Sequence, residues 1–264
     1  MKAFYKLTAL LIIVIAISSC EKVIDLNLKT TTPQLVIEGS IINIAHNPTV
    51  RISRSVNFDD PSNFPGVSGA TVKIISSAST LVLTETSKGV YQGPATIGRP
   101  GRVYTLQVDV DGQTYKATST MPNQVSIDSV AIEEQSFQGK TDKTVVLYYA
   151  DPPNIKNQYR FIMSVNGELV KEVFTRNDLF NDGRVVRVAL YQDDIKLKVG
   201  DKVDLELQCI DDRVYTYWFT FSKQNGTGMG NGSVAPTNPP NNFDKPVLGY
   251  FSANTVNRRT ISVK

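Results

Sequence analysis

Short apolar runs with a period of two, glycine-marked turns between them and one aromatic stretch with a period near 3.6 predict a mainly β chain for these 264 residues. Residues 34–122 read as an immunoglobulin-like or prealbumin-like β-sandwich, and residues 123–264 as a second β-rich domain with one helix. Each part is long enough to bury a core of its own.

The first 19 residues stand apart from that plan. Lys2 and Lys6 precede an apolar run from Leu7 to Ile17 that is too short to span a bilayer as a mature helix, and Ser18-Ser19-Cys20 closes it with small residues. A basic start, an apolar core and a small-residue site before cysteine form a lipoprotein export signal. Residues 1–19 are therefore expected to be removed and Cys20 to carry the acyl chains, although Ile17 stands where leucine is usual. Losing the two lysines lowers the formal charge from +3 to about +1, which implies no nucleic-acid or polyanion partner. With Cys20 lipidated, Cys209 is left without a disulfide partner. Residues 20–33, ending in Thr30-Thr31-Thr32-Pro33, read as a tether between lipid and body.

From Gln34 the period is two, because successive side chains of a strand point to opposite faces. Leu35, Ile37 and Ile41 share a face, as do Val50 with Ile52 and Val72 with Ile74. Tyr104, Leu106, Val108 and Val110 alternate with Thr105, Gln107, Asp109 and Asp111, and Asp111-Gly112 supplies a hairpin turn. Six or seven such strands end near Met121-Pro122. The second region repeats the pattern in Val145, Leu147 and Tyr149, in Tyr159, Phe161, Met163 and Val165, and in Val203, Leu205, Leu207 and Cys209, with Asn166-Gly167 as another turn. Val214, Tyr217, Trp218 and Phe221 instead fall at i, i+3, i+4 and i+7, with Asp211 or Asp212 placed to cap a helix that Asn225-Gly226 would end. Residues 225–246 are loop-like, and two last strands are expected near Val247 to Ser252 and Thr260 to Val263.

No arrangement of side chains announces catalysis. His46, the only histidine, lies in Ala45-His46-Asn47-Pro48, a turn between strands. Zinc would have to draw on that residue and a strand-buried thiol, so its usual spacing is absent. Asp178, Asn181 and Asp182 ahead of Gly183 offer hard oxygens, but Phe180 and Ala189 occupy the third and twelfth positions of an EF-hand count, and the segment reads as a solvated turn. Glu133 and Glu134 form a carboxylate pair whose spatial separation the spacing does not give. The glycine-rich run from Gly226 lacks the lysine of a phosphate loop. No metal and no cofactor are expected. Loop aromatics are better candidates for contact with a partner or ligand: Phe58 and Phe64 between Val56 and Gly69, and Met229 and Phe243 between Gly226 and Pro246.

Taken together, Cys20-Glu-Lys-Val-Ile-Asp-Leu, Leu35-Val-Ile-Glu-Gly, Val67-Ser-Gly-Ala-Thr-Val, Gly89-Val-Tyr, Pro100-Gly-Arg-Val-Tyr-Thr-Leu, Asp151-Pro-Pro, Tyr215-Thr-Tyr-Trp and Leu248-Gly-Tyr-Phe-Ser-Ala give the chain a resemblance that runs nearly end to end. It resembles the Bacteroidota outer-membrane lipoproteins with a DUF4249-like domain of unknown function, often encoded beside TonB-dependent receptors. The resemblance lends no catalytic residues. It implies an outer-membrane location and a partnership with a receptor that imports nutrients or metal complexes; the acidic residues Glu21 and Asp25 close behind Cys20 favour the surface-facing side. The expectation is thus a non-catalytic accessory or binding subunit, with an independent surface binder of glycans or host matrix as the alternative. Asp128-Ser129-Val130 also resembles an acceptor for O-glycosylation at Ser129 in that group of bacteria.

Overall fold

The computed structural model describes residues 32–56, 64–137, 140–224 and 238–264. Seven strands follow one another from residue 35: β1 (Leu35–Ile42), β2 (Thr49–Arg54), β3 (Thr71–Ser76), β4 (Thr80–Ser87), β5 (Val90–Gln92), β6 (Val103–Val110) and β7 (Gln113–Thr120). Their burial alternates as the sequence requires: β6 buries Tyr104, Leu106, Val108 and Val110 and leaves Val103 out. Asp111 (φ 52°) and Gly112 (φ 70°) both take the left-handed conformation of a primed hairpin turn, which aligns β6 with β7.

Eight further strands complete the described residues: β8 (Ser129–Phe137), β9 (Lys140–Ala150), β10 (Gln158–Val165), β11 (Glu168–Leu169), β12 (Phe174–Asn177), β13 (Val185–Leu190), β14 (Lys202–Ile210) and β15 (Leu248–Ser262). Pairing runs β11-β10-β14-β15-β1-β2-β5-β4-β3-β6-β7, with β12 also on β10, and a separate sheet runs β13-β9-β8. The long sheet doubles over on itself in its first part. Ile37, Ile41, Val50 and Ile52 there share a core with Val72, Ile74, Leu106 and Val108. A second core lies where β10 and β14, with Tyr159, Phe161, Met163, Leu205 and Leu207, face β9 and β13, with Val145, Leu147, Tyr149, Val186 and Val188. The change from one core to the other falls between Met121 and Val125, while Val247, Phe251 and Ala253 from the far end of the chain complete the first.

In place of two short final strands there is one of fifteen residues, β15. It pairs in parallel with β1 through its first half and antiparallel with β14 through its second. Polar residues interrupt its apolar pattern, but they lie where the two sandwiches join and are met by distant groups. The Ile127 amide donates to Asn257 Oδ1 (2.9 Å), the Val256 amide to Asn43 Oδ1 (2.7 Å) and the Ala253 amide to Ser119 Oγ (2.9 Å). Such partners are invisible to a local pattern.

The expected helix is present as α1 (Asp212–Gln224). Asp211 is its cap, since Oδ1 accepts the Val214 amide at 2.9 Å, and Oδ2 accepts from the Ser119 hydroxyl at the end of β7. The proposed stop at Asn225-Gly226 lies outside the described residues. Trp218 and Tyr217 pack on Tyr250 of β15, with ring centroids 5.1 and 4.9 Å apart, and the Arg160 guanidinium of β10 sits 3.5 Å over the Trp218 ring. Burial holds Arg160 below its ordinary pKa and pushes the Tyr217 phenol up to about 12. No helix among the described residues is long and apolar enough to cross a membrane.

Candidate functional site

Four strand ends converge at one end of the second sandwich, and their order follows from the pairing register. Ala150 at the end of β9 pairs with Val185 at the start of β13, and the Asp151 amide extends that ladder by donating to the Arg184 carbonyl at 2.8 Å. On the other sheet Gln158 at the start of β10 pairs with Asn177 at the end of β12. Two loops, 151–157 and 178–184, are thereby brought side by side.

Carboxylates stitch the loops together. Asp178 Oδ2 accepts the Asn157 amide (2.6 Å), and the Asp178 amide donates to the Asn157 carbonyl (3.2 Å). Asp182 Oδ1 accepts the Asn154 amide (2.8 Å). Within the second loop the Asp178 carbonyl accepts from the amides of Asn181 and Asp182. Asn154 (φ 61°) and Gly183 (φ 70°) take left-handed conformations where the loops meet, and a Cβ at Gly183 would come within 3.0 Å of Pro153.

Asp151 lies beneath these contacts and is 3% exposed. Its Oδ1 accepts from the Tyr159 hydroxyl, and its Oδ2 has no hydrogen-bond partner. Burial raises its pKa above the ordinary carboxylate value; the Tyr159 hydroxyl and the nearby Gly183 amide oppose the shift, and the charges of Asp178 and Asp182 add to it. One oxygen from each of Asp151, Asp178 and Asp182 lies within 4.8 Å of the other two. Tyr149, stacked obliquely on Tyr159 with centroids 4.7 Å apart, is fully buried and its hydroxyl is also unpartnered. Burial, then the charge of Asp151, pushes that phenol well above its ordinary range.

Above the carboxylates the second loop shows Leu179 and Phe180, 71% and 81% exposed, with Ile155 of the first loop 48% exposed. Phe180 is the most exposed large hydrophobic residue among those described. In the sequence Phe180 stands out only as the wrong residue for an EF-hand. Two adjacent apolar residues inside a run of Asp and Asn were the available signal.

The residues singled out from sequence are scattered by comparison. Phe64 is 66% exposed beside Pro65, on a segment that reaches β2 through the bond from the Arg54 amide to the Pro65 carbonyl. Phe243 is half-buried against the first core, opposite Ala117, so it covers that sandwich rather than projecting from it. Ser129 opens β8 and is exposed. Cys20, Phe58 and Met229 lie outside the described residues. His46 Nε2 accepts the Ile42 amide (3.4 Å) and Nδ1 donates to the Ile44 carbonyl (2.9 Å), so both ring nitrogens serve its own turn. Cys209 is buried, with its thiol pKa raised by burial, and takes the Val125 amide on sulfur. Glu133 binds Arg187 and Glu134 binds Lys143; as neighbours on one strand they point to opposite faces.

A family model described as a domain of unknown function (DUF4249) matches residues 21–260. No curated protein matches the chain.

Proposed function

The chain belongs to the family described as a domain of unknown function (DUF4249), and from that premise we propose that it is a lipid-anchored, non-catalytic binding subunit of the outer membrane, working beside a TonB-dependent receptor. The carrying observation is the exposure of Leu179 and Phe180, 71% and 81%, on a loop pinned by Asp178 at one end and Asp182 at the other. Apolar side chains displayed on a braced loop lose little conformational freedom when a partner covers them, which is what an anchor residue of an interface needs. The acyl chains on Cys20 confine the body to the membrane that holds its partner. Confinement raises effective concentration, so a small contact suffices. The anchor is read as surface-facing, because the cargo of such receptors arrives from that side.

Co-purification in gentle detergent tests this, comparing the lipidated wild type with Cys20→Ala and with the double substitution Leu179→Ser, Phe180→Ser. Near-stoichiometric recovery of one receptor by the wild type, and its loss from both variants, is the expected result. Recovery of the protein alone across several mild detergents would sink the receptor subunit. It would favour the second reading, an independent binder of glycans or host matrix, for which the exposed Phe64 ring offers a stacking surface.

A further inference from the structure

We infer that the converging loops of the second sandwich hold a divalent cation of calcium type, enclosed by the carboxylates of Asp151, Asp178 and Asp182. The site needs neither the lipid anchor nor a receptor, so it stands or falls apart from the proposed function.

Three observations point the same way. The first is geometric: one oxygen from each aspartate lies within 4.8 Å of the others. Calcium–oxygen bonds of about 2.3–2.6 Å set ligand oxygens at most about 5 Å apart across the ion, so the three fit around one centre. The second is the state of Asp151, a carboxylate 3% exposed whose Oδ2 has no hydrogen-bond partner. A buried anionic oxygen is costly unless it is paired, and among the described residues none of the three aspartates forms an ion pair. The third is Tyr149, whose buried hydroxyl also lacks a partner and feels the charge of Asp151 first, then that of Arg176 in the opposite sense and more weakly that of Asp178. A bound cation answers all three at once, since it neutralises the clustered charge and takes oxygen ligands.

The character of the ligands selects the ion. All three are hard carboxylate oxygens, with no imidazole or thiolate among them, which suits calcium rather than zinc or copper. Asp151 is buried, Asp178 half-buried and Asp182 exposed, so the cluster opens to solvent on one side and leaves room for water to complete six to eight ligands. Asp178 and Asp182 already use one oxygen each to hold the first loop through Asn157 and Asn154. An ion on the cluster would therefore fasten the loop that displays Leu179 and Phe180 to the end of β9.

Terbium luminescence on the full chain in detergent tests the site, because terbium resembles calcium in size and is sensitised by nearby tyrosines such as Tyr149 and Tyr159. The expected result is a saturable signal displaced by calcium, with half-saturation at about 0.1–1 mM calcium or below. Asp182→Asn keeps an acceptor for the Asn154 amide and, being exposed, leaves the fold alone; it should weaken binding at least tenfold. Asp178→Asn should do the same, and Asp204→Asn, a half-buried carboxylate on β14 that is remote from the loops, should leave the affinity unchanged. No saturable signal in the wild type, or unchanged affinity in both Asp178→Asn and Asp182→Asn, would overturn the assignment.

Discussion

Tyr91 in the first sandwich and Tyr149 in the second are both buried to 1% or less, yet their hydroxyls end differently. Tyr91 donates to the Val67 carbonyl at 2.9 Å and accepts the Ala70 amide at 3.0 Å, closing the segment that leads into β3. Tyr149 has no partner, and beside it Asp151 leaves Oδ2 bare. The contrast extends to other buried polar groups. Asn242 donates to the carbonyls of Thr118 and Phe251 and accepts the Phe251 amide, fastening the last strand to β7. Ser119 donates to Asp211 and accepts from Ala253. The one other unpaired buried atom among the described residues, Nδ2 of Asn254, sits on β15 where the sandwiches join. Polar groups in the first sandwich are spent within the chain, whereas one end of the second keeps capacity for something from outside.

If that contrast is right, substitutions in the two regions separate by size. Asn242→Ala should cost the most, on the order of 3 kcal/mol, because it strands three backbone groups near the first core. Urea unfolding of the full chain would show it, and a loss under 1 kcal/mol would break the contrast from the structural side. Tyr91→Phe comes next at about 2 kcal/mol, since the Val67 carbonyl and Ala70 amide lose their bridge. Asp151→Asn should move the other way. Its carboxyl is buried with Oδ2 unpartnered, and burial raises its pKa in the fold, so ionising it carries a cost that the unfolded chain escapes. A neutral amide removes that cost and should stabilise the calcium-free protein by about 1 kcal/mol while reducing its response to added calcium. Tyr149→Phe is the smallest: calcium-free stability should change by less than about 0.5 kcal/mol, because no bond is lost. A loss as large as that of Tyr91→Phe would mean that the Tyr149 hydroxyl is already satisfied.

What sequence made legible in this molecule is what local physics decides. Alternation placed Tyr104 to Val110 on β6, Asp111-Gly112 marked its turn, and the spacing of Val214, Tyr217, Trp218 and Phe221 marked α1. The length of β15 was hidden, because Asn257 and the Val256 amide are satisfied by Ile127 and Asn43, far along the chain. The candidate site was half legible for the same reason. Asp178 and Asp182 stand close in sequence and read as a turn, but the buried Asp151 joins them only through the register of β9 against β13. Nor could composition distinguish Phe180, at 81% exposure, from Phe243, which packs on a core. Which loop aromatic is displayed depends on what lies beneath it.

The claim that the working surface belongs to the second sandwich is tested most directly by placing a photo-crosslinking side chain at position 180 or at position 64 of the lipidated protein in its native membrane. Both residues are exposed, at 81% and 66%, so access is similar and only the partner's position differs. A discrete adduct with one outer-membrane receptor from position 180, and none from position 64, is the predicted result. An adduct from position 64 with none from 180 would contradict the account and move the contact to the first sandwich.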